Sequence, residues 1–233
     1  MTRPEDLPSS TVAGVGDAGR GFGEKPLAQT AVAAAAIRDL IGTLLSLEHD
    51  HPAADEVIAR CAEWQRELAP VTPPDNAPRI GVGAEDPTRR LYLDHAFDIG
   101  SFNPCFPEYR FDHLDAETAS GTVTFPIPYE GPPGLVHGGF LALFFDCVTQ
   151  QQNCAARLSG KTRSLTTTYR RPTPILTELT FDIVRTAEDR NVVSTARLLL
   201  DGEVLCRAEV VTVALAPEQL AGSAYGRRRT AHR

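Results

Sequence analysis

The sequence predicts an α+β fold: a long apolar helix followed by an antiparallel sheet, with a helical hairpin ahead of both. Three observations carry this. The run Phe140-Leu141-Ala142-Leu143-Phe144-Phe145-Asp146-Cys147-Val148 is apolar on nearly every face of a helix, which marks a helix that is buried rather than laid on the surface. Short runs rich in β-branched residues surround it, at 121–127 before and at 162–171, 179–186, 192–200 and 203–214 after. Asp201-Gly202 joins the last two, and an Asp-Gly pair between alternating runs is a strong hairpin signal. A long helix before consecutive hairpin-linked strands packs most simply as a helix layer on an antiparallel sheet.

Taken in order, residues 1–26 are rich in Gly, Pro, Ser and charge, so they have little to bury and read as a disordered tail. From Thr30, a candidate N-cap, Ala33, Ile37, Leu40, Leu44 and Leu47 recur at helical spacing, and Val57, Cys61, Trp64 and Leu68 do so again after Asp50-His51-Pro52. That is a helical hairpin over 27–69, whose apolar stripes need cover from the main domain or from a second subunit. Pro70, Pro73, Pro74, Pro78, Gly81, Gly83 and Pro87 make 70–90 a linker or an extended wrap. The main domain then spans 91–216, with a C-terminal tail over 217–233.

A formal net charge of -7 over 233 residues argues against a nucleic-acid-binding surface. Cys61, Cys105, Cys147, Cys154 and Cys206 are scattered without a CxxC pair, and no HExxH is present, so neither a disulfide framework nor a zinc site is expected. No cofactor is expected either. Residues 1–7 lack the apolar core of a signal peptide, no stretch reads as long enough to cross a bilayer, and a cytoplasmic protein without membrane partners is the expectation.

The chemistry concentrates around one helix start. The turn-rich segment from Tyr129 to Val136 delivers the chain to His137-Gly138-Gly139, whose uncovered backbone N–H groups sit at the positive end of the helix and would welcome an oxyanion. Asp146 lies seven residues beyond Gly139, a carboxylate where hydrocarbon is expected, and so a buried or interfacial acid. Histidine is a common general base, but at a helix start His137 is expected to fix the loop through a hydrogen bond and ranks below Asp146 as a base.

In order and spacing, His137-Gly138-Gly139, Asp146 nine residues after the His, and the strand from Ser164 to Pro172 resemble the hotdog-fold acyl-CoA thioesterases of the phenylacetate-degradation type, over roughly Tyr92 to Ala216. The resemblance implies a long central helix wrapped by the sheet and cofactor-free hydrolysis of an acyl-CoA thioester to acid and CoA. It also implies a homo-oligomer whose minimal unit is a dimer with its sites at the subunit interface. Asp146 would act as general base or nucleophile, Gly138 N–H as oxyanion donor with Gly139 N–H beside it, and Thr162 or Ser164 as the hydroxyl that holds water. Lys161, Arg163, Arg170 and Arg171 would suit the phosphates of CoA, although solvated strand ends have the same composition. One departure stands out: Glu130 and Gly131 occupy a loop where several relatives carry Asn. Eight residues of helix at ~1.5 Å each separate Gly138 from Asp146 by about 12 Å, too far for both to touch one thioester carbon, so the acid must come from a neighbouring helix. An antiparallel pair of helices across a two-fold axis would satisfy this twice. A non-catalytic acyl-CoA-binding or regulatory module is a rival reading. So is an acyl-thioester hydratase or dehydratase, which would want a His and Asp pair of which His137 supplies half. The acyl group is not readable from one chain.

Overall fold

The computed structural model describes residues 23–25, 27–72, 91–93, 99–156, 158 and 160–215. Residues 1–22 and 26 of the tail expected over 1–26, the tail expected over 217–233 and residues 73–90 of the linker expected over 70–90 lie outside the described residues. Gly23–Lys25 (β1), inside the stretch expected to be disordered, pairs antiparallel with Leu91–Leu93 (β2).

Between them come the two expected helices, Ala28–Leu45 (α1) and Pro52–Leu68 (α2). α1 starts two residues ahead of Thr30, with Leu27 in the capping position. α2 starts cleanly because His51 accepts the Ala53 N–H and Pro52 occupies the first helical position, where a missing donor matters least.

The stripes expected to be covered are not the ones that pack. α1 buries Ala34, Arg38 and Gly42, one residue per turn, while Ile37, Leu40 and Leu47 stay exposed. α2 buries nothing, and its Cys61, Trp64 and Leu68 face outward. The reason sits at Arg38. Its guanidinium donates to the carbonyls of Gly100, Asn103 (3.4 Å) and Phe106 (3.2 Å) and pairs with Glu108 Oε1 at 3.0 Å. Ala34 and Gly42 on the same face let the helix come close; a Cβ on Gly42 would already touch Pro128 at 3.7 Å. A buried cation that gathers three carbonyls outweighs an apolar stripe with no complementary groove.

By length and mean hydropathy, 1.2 over 18 residues, α1 is also apolar enough to span a membrane, which corrects the expectation that no stretch is. Arg38 and Asp39 lie at its middle, where hydrocarbon is costly for charge, and Arg38 is bonded to the domain instead. Arg38→Met, which keeps the side-chain length and removes every donor, is expected to lower unfolding free energy by about 2 kcal/mol. Denaturant melts measure this, and an unchanged midpoint would mean that α1 does not rest on Arg38.

The main domain continues with Tyr109–Leu114 (β3), Thr118–Thr124 (β4), Gly138–Ala155 (α3), Gly160–Tyr169 (β5), Glu178–Glu188 (β6), Asn191–Leu200 (β7) and Glu203–Ala214 (β8). The six strands form one antiparallel sheet in the order β3-β4-β6-β7-β8-β5, with α3 lying against it: the hotdog arrangement. β4 ends at Thr124 rather than 127 because Phe125 turns fully into the core and Pro126 has no N–H to give the ladder. β3 was not anticipated. Its turn into β4 is fastened by Asp115, whose carboxylate accepts the N–H groups of Glu117 (2.8 Å) and Thr118 (2.7 Å), and those bonds hold its pKa down at about 2. The β7–β8 hairpin turns at Asp201 (φ 50°) and Gly202 (φ 82°), the left-handed pair that the Asp-Gly signal demands.

Alternation along the strands points Leu179, Phe181 and Ile183 of β6, Ala196 and Leu198 of β7, and Ala208 and Val210 of β8 inward. Against them α3 buries Leu141, Phe144, Phe145 and Val148. The same inward rows run on into Arg185, Ser194 and Thr212, so one end of the core is polar where it meets Thr149, Gln152 and Asn153 of α3. The opposite face of α3, through Ala142, Leu143, Asp146, Cys147 and Gln150, is only partly covered within one chain.

Candidate active site

α3 begins where the Tyr129–Val136 loop folds back on itself. His137 N–H donates to Tyr129 O (2.9 Å), Gly131 N–H to Leu135 O (2.8 Å), and the Glu130 carboxylate takes the Gly134 N–H. Glu130 is thus engaged by its own loop. The His137 ring caps the helix: Nδ1 accepts the Gly139 N–H at 3.0 Å. Gly139 N–H is committed to that bond, whereas Gly138 N–H meets no acceptor among the described residues.

Gly138 opens onto a cleft of about 430 Å³ that is also lined by Leu141, Tyr169, Arg170 and Arg171. Tyr169 Oη donates to Gly138 O at 2.9 Å, and a Cβ on Gly138 would stand 2.9 Å from that oxygen, closer than a real Cβ contact. Only glycine fits while Tyr169 stays in place. Arg171 is tied to Glu203 Oε1 at 2.8 Å; the Arg170 guanidinium has no partner among the described residues.

Asp146 sits two turns further along α3, half-buried, and its Oδ1 accepts the hydroxyl proton of Thr162 at 2.6 Å. β5 makes this contact possible through a bulge. Thr162 pairs with Thr212 but Ser164 pairs with Val211, which leaves Arg163 unmatched and shifts the alternation, so that Thr162 and Leu165 both face α3. Of the two hydroxyls singled out in the sequence, Thr162 is brought to the acid and Ser164 is exposed away from it. Lys161 and Arg163 flank Thr162 at the exposed start of β5, while Arg170 and Arg171 follow its far end. The basic residues therefore fall into two groups, one flanking Thr162 along β5 and one lining the cleft at Gly138.

Several residues of this region escaped the sequence reading. Gln150, one turn beyond Asp146, donates through Nε2 to Thr162 Oγ1 (2.7 Å) and to Thr212 Oγ1 (3.0 Å). Asn153 Nδ2 also donates to Thr212 Oγ1 (3.3 Å), and its Oδ1 accepts from Nε of the buried Arg185 (2.7 Å). Burial draws the Arg185 pKa below its ordinary value. Two signals were available: α3 turns polar at Thr149-Gln150-Gln151-Gln152-Asn153, and Arg185 stands two residues beyond Ile183 in the inward row of β6. Among the described residues no cluster of His, Cys, Asp and Glu could hold a metal ion, and none of the five cysteines is in a disulfide.

Solved structures that this chain resembles include proteins of the thioesterase superfamily. Protein RHA08564, a thioesterase superfamily protein, aligns with 81% of this chain and 97% of its own at 26% identity and a TM-score of 0.64. A hypothetical thioesterase with coenzyme A from Streptococcus pneumoniae TIGR4 aligns at 17% identity and a TM-score of 0.44, over 47% of this chain and 90% of its own. A putative thioesterase, phenylacetic acid degradation-related, from Ralstonia eutropha JMP134 aligns at 20% identity and 0.43, over 46% and 84%. No protein-family model matches the sequence, and a search of curated proteins found no match.

Proposed function

We propose that this protein hydrolyses an acyl-CoA thioester to the free acid and CoA, in sites shared between two copies of the chain. The observation that carries the reading is the pairing of an acceptor-free Gly138 N–H with a cleft walled by Arg170 and Arg171, on the same helix as a carboxylate held by Thr162. The similarity to a thioesterase superfamily protein over 97% of that protein's length supports it.

In this reading the thioester carbonyl oxygen lies on the Gly138 N–H at the positive end of α3, which stabilises the charge that develops there. Asp146 supplies the other half. It either removes a proton from water as that water attacks the carbonyl carbon, or attacks the carbon itself to give an anhydride that water then opens; both routes expel CoA as its thiolate. Because about 12 Å of helix separates Gly138 from Asp146 in one chain, the two that serve one substrate come from antiparallel α3 helices of different subunits. The half-covered face of α3 that carries Asp146 is where such a helix would lie.

The test is CoA release from a panel of acyl-CoAs of differing length and aromaticity, without added metal. Arg170 makes it sharper. Arg170→Gln is expected to raise KM for the preferred acyl-CoA about tenfold, the loss of one charge-assisted contact, with kcat nearly unchanged. The same acyl group on pantetheine, which lacks the nucleotide phosphates, is expected to show no change. Equal losses on both substrates would remove Arg170 from phosphate binding.

A further inference from the structure

We propose that Gln150, anchored on Thr212, is a positioning device that directs the Thr162 hydroxyl to donate to Asp146. The proposal deepens the reading of Asp146 as the site's acid–base or nucleophilic group and rests on it for its catalytic consequence.

Two runs of hydrogen bonds meet at Thr212 Oγ1, one from Arg185 through Asn153 and one from Gln150. Arg185 can only donate, so its Nε, 2.7 Å from Asn153 Oδ1, fixes which end of that amide faces the strand. Asn153 Nδ2 must then point at Thr212 Oγ1, which it does at 3.3 Å. Gln150 Nε2 reaches the same oxygen at 3.0 Å, and its second hydrogen reaches Thr162 Oγ1 at 2.7 Å. With a lone pair of Thr162 occupied in this way, its single proton goes to Asp146 Oδ1 at 2.6 Å. The Asp146 oxygen accepts that proton, so the run from Gln150 through Thr162 to Asp146 has one direction.

The opposite orientation of Gln150 fails on the same geometry. Its Oε1 would demand the Thr162 proton, leaving Thr162 Oγ1 and Asp146 Oδ1 in contact at 2.6 Å with no hydrogen between them. The scaffold holding the device is rigid: Asn153, Thr212 and Arg185 are 0%, 1% and 6% exposed, and Arg185 is held further by the Ala116 carbonyl. One carboxylate oxygen is therefore pinned and the other is left for water or the thioester. Gln150 touches neither, which makes it a positioning residue acting through Thr162.

Gln150 lies on the half-covered face of α3, so Gln150→Met, close in size, is tolerated without unfolding. Gln150→Met is expected to lower kcat about tenfold and leave KM within about twofold, and Thr162→Val to do the same. The double variant is expected to fall no further than either single one, since both act through one bond. Multiplied losses, or a Gln150→Met enzyme with the wild-type kcat, would overturn the proposal. An assay-independent readout accompanies the kinetics: the side-chain amide resonances of Gln150 in 15N spectra, expected to shift on Thr162→Val and again on Asp146→Asn. An inactive wild type with a responsive amide defeats the thioesterase reading and leaves the positioning chain intact. An active wild type whose Gln150 amide ignores Thr162→Val defeats the positioning chain alone.

Discussion

Asp146→Asn is expected to leave a folded protein whose turnover of acyl-CoA falls about a thousandfold, near the middle of what removal of a general base costs. The substitution is conservative where it counts for structure, because Asn keeps an oxygen to accept the Thr162 proton that Oδ1 now takes at 2.6 Å. It removes the charge and the basicity, nothing else of size. KM is expected to stay within about twofold, since the acid works on the reacting centre rather than on the nucleotide. Activity within tenfold of wild type, with an unchanged melting profile, would take Asp146 out of the chemistry. A single turnover in 18O water bears on the route. Label left in Asp146 marks an anhydride opened at the Asp146 carbonyl, whereas label in the product acid marks attack of water on the acyl carbon, of the thioester or of the anhydride.

How much of this could be read without coordinates differs from element to element, for physical reasons. α3 and the β7–β8 hairpin were legible because their signals are local: an apolar helical run behind a Gly-Gly opening, and an Asp-Gly pair in positive-φ turn positions. β3 was not, because Tyr109–Leu114 carries Arg110, Asp112 and His113 as an edge strand can, and its alternation is broken by a register shift after Phe111. On α1 the apolar period was present and misleading. The packed face is chosen by Arg38, whose carbonyl partners lie more than sixty residues away and cannot be seen from the helix itself.

The candidate site divides in the same way. Asp146, His137 and Gly138 stand out because each violates or punctuates a local pattern. The preference for Thr162 over Ser164 depends on a bulge at Arg163, a register event between β5 and β8 that neither strand's sequence announces. Gln150 and Arg185 carry signals in the polar end of α3 and the inward row of β6, but what they bond to is visible only when α3, β5, β6 and β8 are brought together.

The largest qualitative effect is expected from mixing two inactive proteins. Gly138→Pro removes the oxyanion N–H at a helix position where Pro is tolerated, and its ring must also push Tyr169 aside, because a Cβ there already comes within 2.9 Å of the phenol oxygen. Gly138→Ala, which adds the same Cβ but keeps the N–H, measures the steric share of that loss. Gly138→Pro and Asp146→Asn homodimers are each expected to retain under about one per cent of wild-type kcat, the product of a lost oxyanion donor in one case and a lost base in the other. If Gly138 of one subunit and Asp146 of the other serve the same substrate, a heterodimer has one site bearing both lesions and one site bearing neither. Co-refolding the two variants with different affinity tags and purifying through both tags in turn is therefore expected to recover up to about half the wild-type activity per dimer. Sites contained within a single chain predict the reverse, since every site in the heterodimer would then carry one lesion. Heterodimers that form, melt like the wild type and remain as inactive as their parents would end the shared-site model, because about 12 Å of helix leaves no other way for one chain's Gly138 to meet an acid at this position.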